Sequence, residues 1–182
     1  MNINTMKIIR LSTFLLMFFY WNTGYTKNMT IYDFSFEDID GNSVELNKFE
    51  GKPIFKVNTA SRCGFTPQYE NLQNLFLSYK DTDLTILAIT SNSFNQEYSS
   101  TEDIKKICLV NYSIGFVTSS PLSVKGDDSH QIFSWLRKEY GKSPKWNFYK
   151  YLFDRNGKLN SSWSSMTKPD NSKILNKIDN LL

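Results

Sequence analysis

The sequence contains few of the side chains that bind metal ions. Its 182 residues include two cysteines and a single histidine, His130. A structural zinc site or an iron–sulfur cluster takes four ligands, drawn mainly from these two residue types, so the chain lacks donors for either. We therefore predict no metal site, and we expect His130 near a helix start or at the surface rather than as a catalytic base.

Two further signatures are missing. The sequence has no Gly-rich phosphate-binding motif and no run of five or more lysines and arginines. The first absence argues against a nucleotide cofactor, and the second, with a net charge of only +3, argues against a nucleic-acid partner. We predict no cofactor and no nucleic-acid binding.

The overall composition is that of an ordinary globular protein. Hydrophobic residues make up 40% of the chain and charged residues 21%. This length and this balance suit one folded domain with a substantial core.

The first 27 residues differ from the rest. Lys7 and Arg10 precede an uncharged stretch, LSTFLLMFFYW at 11–21, and a polar segment follows. This pattern is typical of a secretory signal, and the stretch is short for a membrane span. We predict a signal peptide or membrane anchor over 1–27, hence a secreted, periplasmic or membrane-anchored protein, with a single domain over 28–182. The alternative is an apolar helix that belongs to the fold.

Hydrophobic periodicity predicts alternating strands and helices in the remaining chain. Strands are expected at 31–36, 43–46, 52–58 and 84–90, near 115–117, and on both sides of the Asn156-Gly157 turn. Helices are expected from Pro67, with Thr66 as N-cap, to 79, and at 101–111, 129–140 and 169–182. This order predicts an α/β fold with a central mixed sheet flanked by helices and an N-terminal β-hairpin. It suits a thioredoxin-like architecture without singling it out.

Cys63 lies in a Ser-Arg-Cys-Gly turn between a predicted buried strand and a predicted helix. Unpaired N–H groups at a helix start favour a thiolate, and Arg62 adds positive charge, so this position suits a reactive cysteine. Two other interpretations stay open from the residues alone. Cys63 is a small buried hydrophobic residue in one, and half of a structural disulfide with Cys108 in the other.

Four segments in the same order resemble the glutathione peroxidase family. They are VNTASRCGFTPQYENLQNLF at 57–76, EDIKKICLVNY at 102–112, KWNFYKYLFDRNGK at 145–158 and TKP at 167–169. The resemblance covers nearly all of residues 31–182. It implies a thioredoxin-like fold and the thiol-dependent reduction of hydrogen peroxide or organic and lipid hydroperoxides, which protects against oxidative stress.

The resemblance assigns roles to particular residues. It implies that Cys63 is the peroxidatic cysteine, whose thiolate attacks the peroxide and becomes a sulfenic acid. Trp146 and Asn147 match the family's Trp and Asn beside that cysteine, where N–H groups stabilise the charged sulfur and the departing oxygen. Without the resemblance, the same two residues are better read as a core aromatic and a turn residue.

Cys108 matches the resolving cysteine of the non-selenium branch of the family. It is implied to attack the sulfenic acid and form a disulfide with Cys63 after its helix partly unwinds. Thioredoxin or a similar protein is the implied reductant, with glutathione as the alternative. The family's oligomerisation insertion, expected before KWNF, is absent from the sequence, which predicts a monomer.

The sequence departs from the family at Ser93. The family carries an Asn-Gln-Phe motif after its second buried strand, and this chain has Asn92-Ser93-Phe94. The shorter side chain suggests a slower enzyme, with a bridging water or Gln96 in place of the missing amide. It also leaves open a peroxide-sensing or partner-binding redox module with weak turnover.

Overall fold

The computed structural model describes residues 28–182, which form a five-stranded sheet with helices on both faces and a separate two-stranded hairpin. The bounds of the strands are as follows: β1 Ser35–Glu37, β2 Ser43–Glu45, β3 Ile54–Thr59, β4 Thr85–Thr90, β5 Val117–Thr118, β6 Lys150–Phe153 and β7 Leu159–Trp163. The α-helices are α1 Gln68–Tyr79, α2 Thr101–Lys105, α3 Gln131–Tyr140 and α4 Ser172–Asp179. Short 3-10 turns occupy Ile31–Asp33 and Leu46–Phe49, and a π-helix, Lys106–Asn111, continues α2.

The large sheet has the strand order β5-β4-β3-β6-β7. β3 pairs in parallel with β4 and β4 with β5, whereas β6 runs antiparallel to both β3 and β7. Every residue of β3 and β6 is buried, which explains why these strands are not simple alternations of polar and apolar residues. The mixed sheet with helices on both faces is the predicted thioredoxin-like fold.

The sheet separates two hydrophobic clusters. One lies on the side of α1 and α4 and contains both cysteines together with Tyr69, Leu72 and Phe148. The other lies on the side of α3 and the N-terminal hairpin and contains Phe133 and Tyr151. The two cysteines therefore share one face of the sheet.

Most predicted elements differ from the structure by one to three residues at an end, and three also differ in kind or in capping. The predicted strand at 31–36 is a 3-10 turn followed by β1. α1 begins at Gln68 with Pro67 in the N-cap position, because the Thr66 hydroxyl is used inside the preceding turn. The predicted helix at 101–111 changes from α to π at Lys106.

The predicted signal or anchor at 1–27 lies outside the described residues and stays a prediction. Between residues 28 and 182, none of the helices has the length and apolar character needed to cross a bilayer.

Candidate active site

Three loops meet at one end of the large sheet. The turn that carries Cys63 follows the carboxyl end of β3, and the loop 91–100 follows the carboxyl end of the parallel strand β4. The segment with Trp146 and Asn147 precedes β6, and because β6 is antiparallel to β3, its start lies beside the end of β3. Sheet topology thus gathers residues that are far apart in the sequence.

The Cys63 turn is closed by Thr66. The Thr66 Oγ1 accepts a hydrogen bond from the Cys63 backbone N–H at 3.0 Å and donates one to the Ala60 carbonyl at 2.9 Å. The backbone N–H of Phe65 points at the Cys63 sulfur, with an N to Sγ distance of 3.4 Å. A backbone donor thus lies within hydrogen-bonding distance of the sulfur in the turn that precedes α1, a kind of position in which reactive cysteines occur.

The Cys63 side chain is largely buried, with 6% of the residue exposed, and it packs in the α1-side cluster. The neighbouring residues Arg62 and Gly64 are exposed. The Arg62 guanidinium lies 5.4 Å from the centroid of the Tyr98 ring. The sulfur is therefore not displayed on the surface, although the residues on either side of it are.

Trp146 and Asn147 lie against the loop that follows β4. The Trp146 ring packs on Phe94 with 5.3 Å between the centroids and keeps 39% of the residue exposed. Asn147 is fully buried, and its Nδ2 donates to Gln96 Oε1 at 3.1 Å. The Gln96 carbonyl also accepts from the backbone N–H of Arg62 at 2.8 Å, so Gln96 connects Asn147 to the Cys63 turn.

Ser93 does not take part in that connection. Its Oγ accepts a hydrogen bond from the Val124 backbone N–H at 2.9 Å, on the side of the loop that faces residues 121–124. Gln96 Nε2 makes no hydrogen bond within residues 28–182. The amide N–H groups of Gln96 are thus without a partner in the described residues. Gln96 follows Ser93, the position at which the family carries its glutamine, by three residues.

The turn that presents Trp146 and Asn147 is held by Asn58, the fifth residue of β3. The Asn58 side chain donates to the Trp146 carbonyl at 3.0 Å and accepts from the Tyr149 N–H at 3.1 Å. Its backbone carbonyl accepts from Phe148, which has a φ of +62°. A phenylalanine is strained in this left-handed region, so the hydrogen bonds of Asn58 stabilise a costly turn.

A series of hydrogen-bonded buried polar groups ends at the backbone carbonyl of Asn147. Lys150 Nζ donates to Gln68 Oε1 and to the Ser165 carbonyl, and Gln68 Nε2 donates to the same carbonyl at 2.7 Å. The Ser165 hydroxyl donates to the Asn147 carbonyl. Lys150 is fully buried, and burial lowers its pKa from the ordinary 10.5 to about 7.

Glu97 is a second buried ionisable group close to the site. Its carboxylate oxygens each accept from the Ser61 N–H at 3.1 Å, and one of them accepts from Tyr98 N–H at 2.9 Å. Burial raises the pKa of this carboxyl, and its hydrogen bonds lower it in part. Glu97 ties the loop after β4 to the residues that precede Cys63.

Cys108 lies in the same hydrophobic cluster as Cys63, and both are free thiols. The disulfide that the sequence left open is therefore not part of this structure. Cys108 is fully buried in the π-helix, with its Sγ 3.7 Å from Tyr69 Oη. Burial raises the pKa of this thiol to about 11, so it is protonated while it stays packed.

Sequence analysis did not predict three residues of the site: Asn58, Gln96 and Lys150. The available signal was a polar residue within a strand segment that is otherwise rich in apolar residues: Asn58 in KPIFKVN at 52–58 and Lys150 in YKYLF at 149–153. Gln96 was considered only as a substitute for the missing family glutamine, and its contact with Asn147 depends on the folding of the loop.

A cysteine turn after a central strand of a thioredoxin-like sheet defines a class, the thiol oxidoreductases. The glutathione peroxidase family model matches residues 31–137. A glutathione peroxidase-like peroxiredoxin from Schizosaccharomyces pombe is 38% identical over 156 residues, which cover 83% of this chain and 98% of that protein. A hydroperoxy fatty acid reductase from Synechocystis is 39% identical over 166 residues, which cover 85% of this chain and 97% of the relative.

A solved structure, the apo form of Trgpx, superposes with a TM-score of 0.67 at 31% identity and covers 85% of this chain and 96% of its own. The chain belongs to the glutathione peroxidase family, and it is an oxidoreductase that reduces peroxides with thiols. These matches give no support to the alternative of a redox module with weak turnover.

We expect Asn58→Ala to lower peroxidase activity even under conditions where the variant is fully folded. The substitution leaves the Trp146 carbonyl and the Tyr149 N–H without their partner and releases the strained turn, which costs about 1–3 kcal/mol for unpaired buried groups. We expect kcat/KM for hydrogen peroxide to fall about tenfold or more under conditions where the protein is fully folded. Asn74→Ala, an exposed change on α1, is the control. Unchanged kcat/KM in the folded Asn58 variant would contradict a positioning role.

Because of Lys150, we expect the free energy of unfolding to rise between pH 7 and pH 9. Its pKa in the folded protein is about 7, and in the unfolded chain it returns to about 10.4, so in this window only the unfolded state binds the proton. Stability therefore increases with pH, by about 1 kcal/mol per pH unit. Urea unfolding at pH 7, 8 and 9 should show this rise in the natural protein and a smaller rise in Lys150→Met. Exposed Lys80→Met serves as the control, and parallel curves for all three proteins would refute the assignment.

Proposed function

We propose that Cys63 is the peroxidatic residue and Cys108 the resolving residue of a two-cysteine hydroperoxide reductase. The observation that carries the proposal is the Phe65 N–H directed at the Cys63 sulfur, in a turn joined to Asn147 through Gln96. This arrangement supports a stabilised thiolate with amide groups beside it.

In the first step, the Cys63 thiolate attacks one peroxide oxygen. The S–O bond forms as the O–O bond breaks, and the alcohol or water leaves after it takes up a proton. Sulfur is oxidised by two electrons to the sulfenic acid. The departing oxygen carries negative charge, and the N–H groups of Trp146, Asn147 and Gln96 are the candidates that stabilise it.

In the second step, the sulfur of Cys108 attacks the sulfenic sulfur. The S–S bond forms, the S–O bond breaks, and the oxygen leaves as water with one proton. Cys108 is buried and protonated in the reduced structure, so it has to leave its packed position first. Exposure to water then returns its pKa toward the ordinary value for a thiol.

The segment that carries Cys108 is built for such an opening. α2 is only one turn and a half long, and the π-helix after it has Cys108 as its single buried residue. Leu109 and Val110 are 50% and 71% exposed, so of the apolar residues in the π-helix only Cys108 and the partly buried Ile107 pack against the core. Segments with few buried contacts open at low free-energy cost, and π-helices are frequent at functional sites.

The reductant and the substrate follow from the family and the relatives. A dithiol protein of the thioredoxin type regenerates the two thiols by exchange, and glutathione is the alternative donor. Hydrogen peroxide and lipid hydroperoxides are the proposed substrates, since one relative is named for the reduction of hydroperoxy fatty acids. Export through residues 1–27 and a monomeric state remain predictions from the sequence.

The two cysteine variants test the cycle. We expect Cys63→Ser to abolish turnover, because no peroxidatic sulfur is left. We expect Cys108→Ser to consume one equivalent of peroxide per chain and then stop as the sulfenic acid, which a dimedone adduct and mass spectrometry detect. Steady-state peroxide consumption is measured with thioredoxin and its reductase, and in parallel with glutathione and its reductase.

Three results would contradict the proposed cycle. Turnover in Cys63→Ser would remove Cys63 from the chemistry. Full turnover with thioredoxin in Cys108→Ser would remove Cys108. Absence of a Cys63–Cys108 disulfide in the peroxide-treated natural protein would show that the two sulfurs do not react with each other.

The site offers two candidates for the missing family glutamine, and we expect Gln96 to matter more than Ser93. Gln96 is bonded to Asn147, whereas the Ser93 hydroxyl is bonded to Val124. Loss of a hydrogen bond to a charged centre costs about 1.5–3 kcal/mol, so Gln96→Ala should slow sulfenic acid formation about tenfold or more. Ser93→Ala should slow it much less. Stopped-flow tryptophan fluorescence with both variants measures this step, and the reverse ranking would assign the role to Ser93.

A further inference from the structure

Two adjoining crevices run along the outer edge of the large sheet. One has a volume of about 490 Å³ and is bounded by all five residues of β7. The other has a volume of about 360 Å³ and shares Lys142, Ser162 and Trp163 with the first. Because they share these residues, the crevices form one groove, here called the edge groove. β7 (Leu159–Trp163) is its floor, and Lys142, Lys145, Lys173 and Lys177 are the cations that line it.

The charge of the edge groove is of one sign. Four lysines line it, and no aspartate or glutamate does. All four lysines are exposed, and none makes a salt bridge within residues 28–182, where the described ion pairs are Lys105–Asp40 and Arg155–Asp83. Unpaired positive charge in a concave surface attracts anionic groups.

The floor of the groove is an unpaired strand edge. β7 is the last strand of the sheet and bonds to β6 on one side only. Its sequence, LNSSW, contains no charged residue and no proline, two of the usual means by which a protein protects an edge strand from pairing. A register shift opposite Leu152 and Phe153 interrupts its pairing with β6 near Asn160, so the regular part of the strand is 161–163. The lysines come from the segments beside β7 rather than from the strand itself, and at its start the Leu159 N–H donates to Tyr140 Oη at 3.4 Å.

We propose that the edge groove binds an acidic, extended segment of a partner protein as an added strand on β7. Main-chain hydrogen bonds to β7 supply the pairing, and carboxylates of the segment reach the four lysines. A second copy of this chain is a poor occupant, because edge-to-edge pairing brings eight like charges together. Residues 1–27 contain no aspartate or glutamate and do not complement the charge. A lipid surface does not fit a concave floor with free backbone groups.

One end of the edge groove lies next to the active-site segment. Lys145 directly precedes Trp146, and Ser164, which lines the groove, directly precedes Ser165, whose hydroxyl bonds to Asn147. A bound segment therefore places its protein beside the cysteine turn. The docking does not require the chemistry of Cys63, so it stands or falls separately from the proposed peroxidase cycle.

The test uses the full chain and a short synthetic peptide in which glutamate alternates with valine. We expect binding, followed by NMR of the backbone amides, with the largest shifts and slowed hydrogen exchange at residues 159–163. The peptide with glutamine in place of each glutamate should bind about tenfold more weakly or worse, and higher salt should weaken binding of the acidic peptide. A variant with four groove lysines changed to Gln (Lys142, Lys145, Lys173 and Lys177) should bind the acidic peptide more weakly by a similar factor.

A second variant with Lys48, Lys52, Lys80 and Lys106 changed to Gln loses the same charge outside the groove and should bind the acidic peptide as the natural protein does. Equal weakening in both variants would show a non-specific charge effect and overturn the proposal. Equal binding of the glutamine peptide, or shifts that avoid residues 159–163, would also overturn it. So would binding of anionic lipid vesicles that depends on the groove lysines when the peptide does not bind.

Discussion

The antiparallel pairing of β6 with β3 is the contact on which the rest of the site depends. Ile54 pairs with Phe153 and Val57 with Lys150, so the chain that enters β6 arrives beside the residues that leave β3. This register places Asn58 against the turn at 146–149 and brings Asn147 toward the loop that also holds the Cys63 turn. A slip of one residue would exchange the two faces of β6 and turn Lys150 away from Gln68.

Stability and function draw on the same buried polar groups. Three polar residues of the site are buried: Asn58, Lys150 and Glu97. Burial of a polar side chain has a desolvation cost that an apolar side chain does not have, and each of the three makes hydrogen bonds to the backbone or a side chain of the site. Such networks fix one geometry only when their members are satisfied. The left-handed Phe148 is the local strain that this network offsets, and it lies between Asn147 and the start of β6.

The two cysteines have contrasting surroundings although they share a hydrophobic cluster. Cys63 has a backbone donor at its sulfur in a turn fixed by Thr66, which suits a thiol that must react at once. Cys108 is fully buried next to Tyr69, whereas Leu109 and Val110 of the same segment are exposed. In the proposed cycle, Cys63 attacks peroxide from a turn closed by hydrogen bonds, and Cys108 attacks the sulfenic sulfur after its segment opens. In our proposal the edge groove adds a surface that holds a partner beside the active-site segment.

The sequence by itself predicted most of the elements and the family. The apolar runs around Val57 and Leu87 predicted the buried strands, the Asn156-Gly157 pair predicted the last hairpin, and the order of motifs predicted the family. Only the tertiary structure decided how the site is completed. Gln96 rather than Ser93 reaches Asn147, Thr66 closes the cysteine turn instead of capping α1, and the helix of Cys108 becomes a π-helix. Periodicity reports which side of an element is apolar, but not which partner a particular hydroxyl or amide takes. The hydrogen bonds of Thr66 are local, whereas the contact of Gln96 with Asn147 joins segments that meet only when the sheet has formed.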